Sequence, residues 1–258
     1  MKVAVAGATG RVGEHVVDAL HASGHEAVPM SRATGVDVIS GEGLDEAVAG
    51  ADAIVDAATG PSPEQQAATD FFVTAARNLQ EAGGRAGVER IVVVSIIGTD
   101  RYTAGYGAAK IAHEEVTLGG TIPAHILRAS QFHEFVSQLV DWGRRDGVSQ
   151  VPEMRTQLIA ARSVGEELVE LATGAGFEAG VTSEIAGPRE ESLVEMAKLL
   201  VARRGEELRI EGIVNPDDPD RELNTNGGLL PGPNATLTGP TFAEWLDAQY
   251  ADDHASGQ

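Results

Sequence analysis

The apolar positions along the chain change period repeatedly. Val3-Ala4-Val5-Ala6 is a continuous apolar run, as a strand buried on both faces requires, and Val12, Val16, Val17 and Leu20 then fall on one helical face that stops at Gly24. The alternation continues with a strand over Glu26 to Met30, a short strand at Val36 to Ile39, a helix at Leu44 to Val48 and an apolar strand over Ala53 to Ala57. After Pro61 and Pro63 a helix is predicted from about Glu64 to Ala82, with Ala68, Phe71, Phe72, Ala75 and Leu79 at helical spacing. Ile91 to Val94 reads as a central parallel strand, a helix follows from about Tyr106 to Leu118, and Ala124 to Leu127 forms the next strand. Strands alternating with helices in this way predict right-handed crossovers and an α/β fold, a Rossmann-type doubly wound parallel sheet.

Beyond Gln131 the pattern loosens. Helices are expected at about 131–143, 163–173 and 190–204, with short strands at Gln157 to Ala160, Ser183 to Ala186 and Leu208 to Ile210. A loop rich in Gly, Pro and Asn fills about 212–240, Phe242, Trp245 and Leu246 mark a last short helix, and Ala251 to Gln258 should fray. With no internal repeat and no linker between halves, the expectation is a single domain over residues 1–258, of which about 131–258 forms a small irregular substrate-side region.

Composition narrows the function classes. Hydrophobic residues at 42% and charged residues at 22% exclude disordered and collagen-like chains. A net charge of −20 opposes phosphate backbones and anionic lipid surfaces, so neither nucleic acid nor membrane is expected as a partner, and a small molecule is. The chain has no cysteine, which removes disulfides, thiolate metal sites and cysteine nucleophiles. Met1-Lys2 leads directly into the first strand with no room for a signal peptide, and a cytoplasmic location is expected. His113, His125 and His133 lack a metal-ligand spacing, so no metal is expected. Oligomeric state stays open.

The strongest motif is Gly7-Ala8-Thr9-Gly10-Arg11-Val12-Gly13, between the first strand and the first helix. Gly7 allows a tight turn, Gly10 lets a pyrophosphate approach the backbone, and Gly13 lets the helix sit close on the strand, while the helix amino terminus attracts the anion. In this scheme a carboxylate at the end of the second strand binds a ribose 2′-hydroxyl and repels a 2′-phosphate. Here the strand ends Met30-Ser31-Arg32, a hydroxyl and a guanidinium, which favours NADP(H) over NAD(H); Arg11 can supply a second positive charge. A solvated surface role for Arg32 is the alternative.

With Ser95 ending the fifth strand, Tyr106-Gly107-Ala108-Ala109-Lys110 opening the next helix, and Ile126-Leu127-Arg128-Ala129-Ser130-Gln131-Phe132 after it, the chain resembles the atypical short-chain dehydrogenase/reductases. The NmrA-like NAD(P)-binding branch is the nearest in pattern, including Leu229-Leu230-Pro231-Gly232-Pro233 and Phe242-Ala243-Glu244-Trp245-Leu246. The resemblance implies that Ala57, Ala58 and Thr59 line the adenine and ribose side, that Ser95, Tyr106 and Lys110 form the catalytic set, that Lys110 also holds the ribose, and that Ala129, Ser130, Gln131 and Phe132 border the nicotinamide. Tyr106 and Lys110, four residues apart, share a helical face, and an ammonium beside a phenol favours phenolate. Two alternatives stand: Lys110 as the surface partner of Glu114, and Tyr102 as a competing phenol. One departure is Ala160-Ala161-Arg162-Ser163-Val164, where relatives carry an Asp-Val pair; Ser163 can still cap the helix there.

The implied function is an NADP-dependent oxidoreductase that reduces a small carbonyl or quinone-like substrate by hydride transfer. The alternatives are a non-catalytic NADP(H)-binding redox sensor and an epimerase or dehydratase using bound cofactor.

Overall fold

The computed structural model describes residues 1–255. Its elements run β1 (Lys2–Ala6), α1 (Gly13–Ala22), β2 (Glu26–Met30), α2 (Leu44–Val48), β3 (Ala53–Asp56), α3 (Gln65–Ala86), β4 (Arg90–Ile96), α4 (Gly105–Leu118) and β5 (Ala124–Ala129). There follow α5 (His133–Trp142), β6 (Arg144–Arg145), β7 (Val148–Pro152), β8 (Arg155–Thr156), α6 (Ala161–Thr173), β9 (Val181–Ala186), β10 (Glu191–Ser192), α7 (Leu193–Arg203), β11 (Arg209–Ile213), α8 (Arg221–Thr225), β12 (Thr236–Leu237) and α9 (Phe242–Ala255).

The main sheet is seven-stranded and parallel, in the order β12-β9-β5-β4-β3-β1-β2. β1 lies between β2 and β3, with Ala6 opposite Met30 on one side and Asp56 on the other. The strand order therefore reverses at β1 and β3, the place where doubly wound sheets open a crevice beyond their carboxyl ends.

The chain forms two compact units. The first comprises Met1–Arg128 with Arg162–Ser183. Its core joins Ala4, Met30, Ile54, Leu79, Ile91 and Ile126. Helix α3 outruns its predicted end at Ala82 because Gly83 is needed inside it: a β-carbon there would come within 2.7 Å of the Ile122 side chain and 2.8 Å of Ile54. Glu64 caps its start, accepting the amides of Gln66 and Ala67. The strand expected at Val36 to Ile39 is absent. Local bonds hold that segment as turns: Val36 N–H reaches Ser31 O, and the Asp37 carboxylate accepts the Ile39 amide.

The second unit comprises Ala129–Ala161 with the described residues from Glu184 onward. Val136 and Val140 of α5, Val151 of β7, Leu200 of α7 and Phe242 of α9 share its core. β7 pairs antiparallel with β6 and parallel with β11. The strand expected over Gln157 to Ala160 reduces to one bridge between Ile159 and Phe132. Ser163 does not cap α6: it lies inside the helix, and Glu134 accepts the Ala161 amide. The loop at 212–240 contains α8 and β12, and α9 continues to Ala255, into the stretch expected to fray; residues 256–258 of that stretch lie outside the described residues. No helix among the described residues is long and apolar enough to cross a membrane.

Candidate functional site

The turn after β1 separates three roles for its glycines. Gly7 has φ +73°, and a β-carbon on it would lie 2.6 Å from Ala57 O and 2.8 Å from Ala58 Cα. A β-carbon on Gly13 would collide with the Gly7 carbonyl. The fold itself thus demands both. Gly10 differs: its φ is not positive, and its β-carbon would meet only Gly7 O, at 3.1 Å. Its bareness is what a phosphate approaching the amino end of α1 requires, so the turn fits a dinucleotide pyrophosphate.

Two short segments flank this turn. Met30 O accepts the amides of Gly7 and Ala8, tying the turn to the end of β2. Beyond it, Ser31 opens a 3-10 turn over Arg32–Thr34, in which Thr34 Oγ1 accepts the Ser31 amide; the Arg32 side chain is exposed. On the other side, Ala57 N–H donates to Ala6 O and Ala58 N–H donates to the Asp56 carboxylate at 2.9 Å. Thr59 Oγ1 then shares a 2.9 Å hydrogen bond with the Tyr106 hydroxyl. The phenol therefore reaches the same loop that closes on Gly7.

The other two residues of the expected catalytic set are buried and engaged. Ser95, near the carboxyl end of β4, donates to Glu114 Oε1 at 2.5 Å. Lys110 Nζ donates to Val94 O at 2.8 Å, meets His113 Nδ1 at 3.0 Å and lies 4.4 Å from the centre of the Phe72 ring. His113 Nε2 in turn meets Asp56 Oδ2 at 3.0 Å. Glu114 is not the surface partner of Lys110: it is buried and takes two hydrogen bonds from Arg128, at 3.0 and 2.7 Å, while Arg128 also pairs with Asp100. Tyr102, the competing phenol, has its ring against Gly107, where a β-carbon would collide.

Burial sets the proton affinities here. It pushes the Tyr106 phenol above its ordinary value, against the Thr59 hydrogen bond. It lowers Lys110 to about 8, although Asp56 and Glu114 favour the ammonium. It lowers His113 as well, helped by the Lys110 charge. Burial works to raise Asp56, but the His113 hydrogen bond, the Ala58 amide and Lys110 outweigh it and hold the carboxyl below its usual range.

Residues 7–131 match the NAD(P)H-binding family. No protein of curated function matches the chain. Among solved structures, a short-chain dehydrogenase/reductase superfamily protein from Agrobacterium tumefaciens with bound NAD is 18% identical, with 99% of this chain and 98% of that one covered and a TM-score of 0.71. The NADPH-dependent quinone oxidoreductase of Escherichia coli complexed with NADPH is 19% identical over 96% of this chain and 99% of that one, TM-score 0.70. The UDP-glucuronic acid 4-epimerase of Bacillus cereus, with UDP-glucuronic acid and NAD, is 15% identical over 97% and 98%, TM-score 0.70. The fold is thus the one these proteins share.

The last residues of the matched segment, 129–131, belong to the second unit. Ala129 ends β5, Ser130 N–H donates to Ile185 O, and Ser130 Oγ is buried without a hydrogen-bond partner. Gln131 accepts from Thr156 through its side chain and from Ile159 N–H through its carbonyl, and Phe132 precedes α5. The residues that sequence reasoning missed are Asp56, His113, Glu114 and Arg128. A lone carboxylate inside the apolar strand Ala53-Ile54-Val55-Asp56 was the available signal, because such a group needs a buried partner.

Proposed function

We propose that the chain is an NADP(H)-dependent reductase that transfers hydride to a small carbonyl or quinone-like compound. The observation that carries this reading is the Tyr106 hydroxyl on Thr59, one residue beyond the Ala57-Ala58 wall of the glycine turn. The amides at the start of α1 would hold the pyrophosphate, Ser31 and Arg32 the 2′-phosphate, and Ala57, Ala58 and Thr59 the adenosine side. When bound, NADPH supplies the hydride. Tyr106, kept protonated by burial, donates its hydrogen to the substrate oxygen as negative charge develops there. Lys110, one helical turn on, contributes a buried positive charge near that helical face. The absence of cysteine fits a reducing cytoplasm. The Escherichia coli quinone oxidoreductase supports the substrate class by analogy of fold alone.

A second reading, an NmrA-like cofactor sensor without turnover, has its own support. Ser95 and Lys110 are both engaged by buried partners, which leaves Tyr106 of α4 as the one group of the expected set whose side chain bonds the loop beside the turn.

The deciding experiment is a thermal-shift titration with NADPH, NADP, NADH and NAD, followed by NADPH oxidation across a panel of aldehydes, ketones and quinones. A ligand that binds only the folded state raises the melting temperature. The reductase reading requires a larger shift with NADPH than with NADH, and turnover with at least one acceptor. Binding without turnover on any acceptor selects the sensor; no shift with any nucleotide removes both.

A further inference from the structure

Asp56, His113 and Lys110 form a line of three ionisable groups, each at most 4% exposed. Asp56 Oδ2 meets His113 Nε2 at 3.0 Å, and His113 Nδ1 meets Lys110 Nζ at 3.0 Å. The Phe72 ring stacks on the imidazole at 4.8 Å with 17° between the planes, closing one side of the line. Glu114, the nearest other carboxylate on α4, is engaged by Ser95 and Arg128, and Arg128 also pairs with Asp100.

Donor and acceptor arithmetic fixes the tautomer. An ammonium can only donate, so the Nδ1 facing Lys110 must present a lone pair. The single ring hydrogen then sits on Nε2, where it donates to Asp56. An imidazolium would aim a second hydrogen at the ammonium, in a buried place where the repulsion is weakly screened. The other Asp56 oxygen accepts the Ala58 amide, and Ala58 packs against Gly7.

We propose that His113 is a positioning residue: as a neutral Nε2–H imidazole it bridges Asp56 to Lys110, fixing both the ammonium on α4 and, through Asp56, the Ala57–Thr59 loop that walls the nucleotide turn. The loop and the lysine are then one hydrogen-bonded string, and neither moves without the other. This role rests on reading the turn as the cofactor site.

The test compares the wild-type chain with His113→Gln and His113→Leu. A glutamine amide can donate to Asp56 and accept from Lys110; leucine fills similar space and does neither. In nitrogen-15 imidazole spectra of the wild type, the signal missing from His113→Gln should show protonated Nε2 and bare Nδ1 from pH 5 to 8. With only Lys2, Lys110 and Lys198 in the chain, labelled lysine spectra can follow Lys110, which burial lowers to about 8. His113→Gln should keep that signal and bind NADPH within about threefold of wild type, whereas His113→Leu should shift it and weaken NADPH about tenfold, the equivalent of one buried hydrogen bond. An Nδ1–H tautomer or an imidazolium at pH 7 sinks the bridge, with or without folded variants. Leucine and glutamine variants that bind NADPH equally well and share one lysine titration also sink it. If the tautomer is as stated and no form of the protein binds NADPH, the cofactor reading fails and the positioning role falls with it.

Discussion

Ser95 Oγ donates to Glu114 Oε1 across 2.5 Å, beneath two further hydrogen bonds that Arg128 makes to the same carboxylate. A hydroxyl has one hydrogen, and in this arrangement Glu114 receives it rather than a substrate oxygen. Ser95→Ala should therefore cost about 1 kcal/mol of stability, the net worth of one hydrogen bond, because Arg128 continues to satisfy the carboxylate. NADPH turnover should stay within about threefold of wild type. A loss of about a hundredfold in kcat at unchanged melting temperature would return Ser95 to an oxyanion-binding role.

Gly10 and Gly13 should respond oppositely to the same added methyl group. Gly13→Ala drives a β-carbon into the Gly7 carbonyl and forces α1 off β1, costing about 3 kcal/mol or more by overpacking. Gly10→Ala meets one carbonyl at 3.1 Å and should fold with a loss of about 1 kcal/mol or less, yet bind NADPH about a hundredfold more weakly. Thermal melts and calorimetry on the two variants separate folding from binding. A Gly10→Ala protein that binds normally would leave the glycine without a ligand-related reason.

What the sequence made legible is what local chemistry determines. The apolar run Val3 to Ala6, the turn at Gly7 and the helical face of Val12, Val16 and Leu20 each follow from period and backbone freedom within a few residues, and the first strands and helices formed as expected. The hydrogen bond between Asp56 and His113 joins residues 57 apart: the carboxylate in an apolar strand signals that a buried partner is needed, but nothing local says that the partner is His113. The same holds for Ser95 with Glu114: spacing on α4 offered Lys110 as the partner of Glu114, and only the packing of β5 brings Arg128 to it. Val36 to Ile39 misled because a short apolar run carries too little period to outweigh the hydrogen bond from the Ile39 amide to Asp37. The β6–β7 hairpin carries a local signal of its own. Asp146-Gly147 carries φ +50° and +78°, the positive pair that a two-residue hairpin turn needs.

Arg32 sets a test of cofactor choice. Its side chain is exposed, and the 31–34 segment contains no carboxylate to repel a 2′-phosphate. Arg32→Ala should weaken NADPH about tenfold, within the range of a charge-assisted hydrogen bond in a solvent-screened place, and leave NADH unchanged. Calorimetry with both nucleotides measures the difference. Equal weakening of the two would mean that Arg32 does not contact the 2′-phosphate.

Acid should destabilise the protein through His133. Its ring is buried against Phe242 and Trp245, Nε2 meets Pro240 O at 3.0 Å, and Nδ1 is buried without a partner. Burial lowers it to about 4 from an ordinary 6.5, against the hydrogen bond to Pro240. Below 6.5 the unfolded chain binds the proton and the folded chain does not, so stability is complete above 6.5 and falls as pH drops toward 4. The loss should reach about 3 kcal/mol from this group. Melts at pH 7.5, 5.5 and 4.5 should show a smaller decline in His133→Gln than in wild type. Parallel declines in the two proteins would place the acid sensitivity elsewhere.

Tyr106→Phe isolates the proton donor from everything that holds it. The phenylalanine ring keeps the edge-on contact with Phe72, whose ring centre lies 5.5 Å away, so α4 should stay in place. The lost hydroxyl leaves Thr59 Oγ1 without its 2.9 Å partner, a cost of about 1 kcal/mol that water can offset at this partly exposed loop. NADPH affinity should change by less than about threefold, because the glycine turn and Arg32 are untouched, while a donor used in the transition state is worth about a hundredfold or more in kcat. Burial raises the Tyr106 phenol, so wild-type kcat should be flat across neutral pH and fall only above 10, as the donor loses its hydrogen. A variant with wild-type kcat on a carbonyl substrate would show that the proton comes from water, and a quinone that turns over normally while a ketone does not would assign Tyr106 to the more basic oxygen.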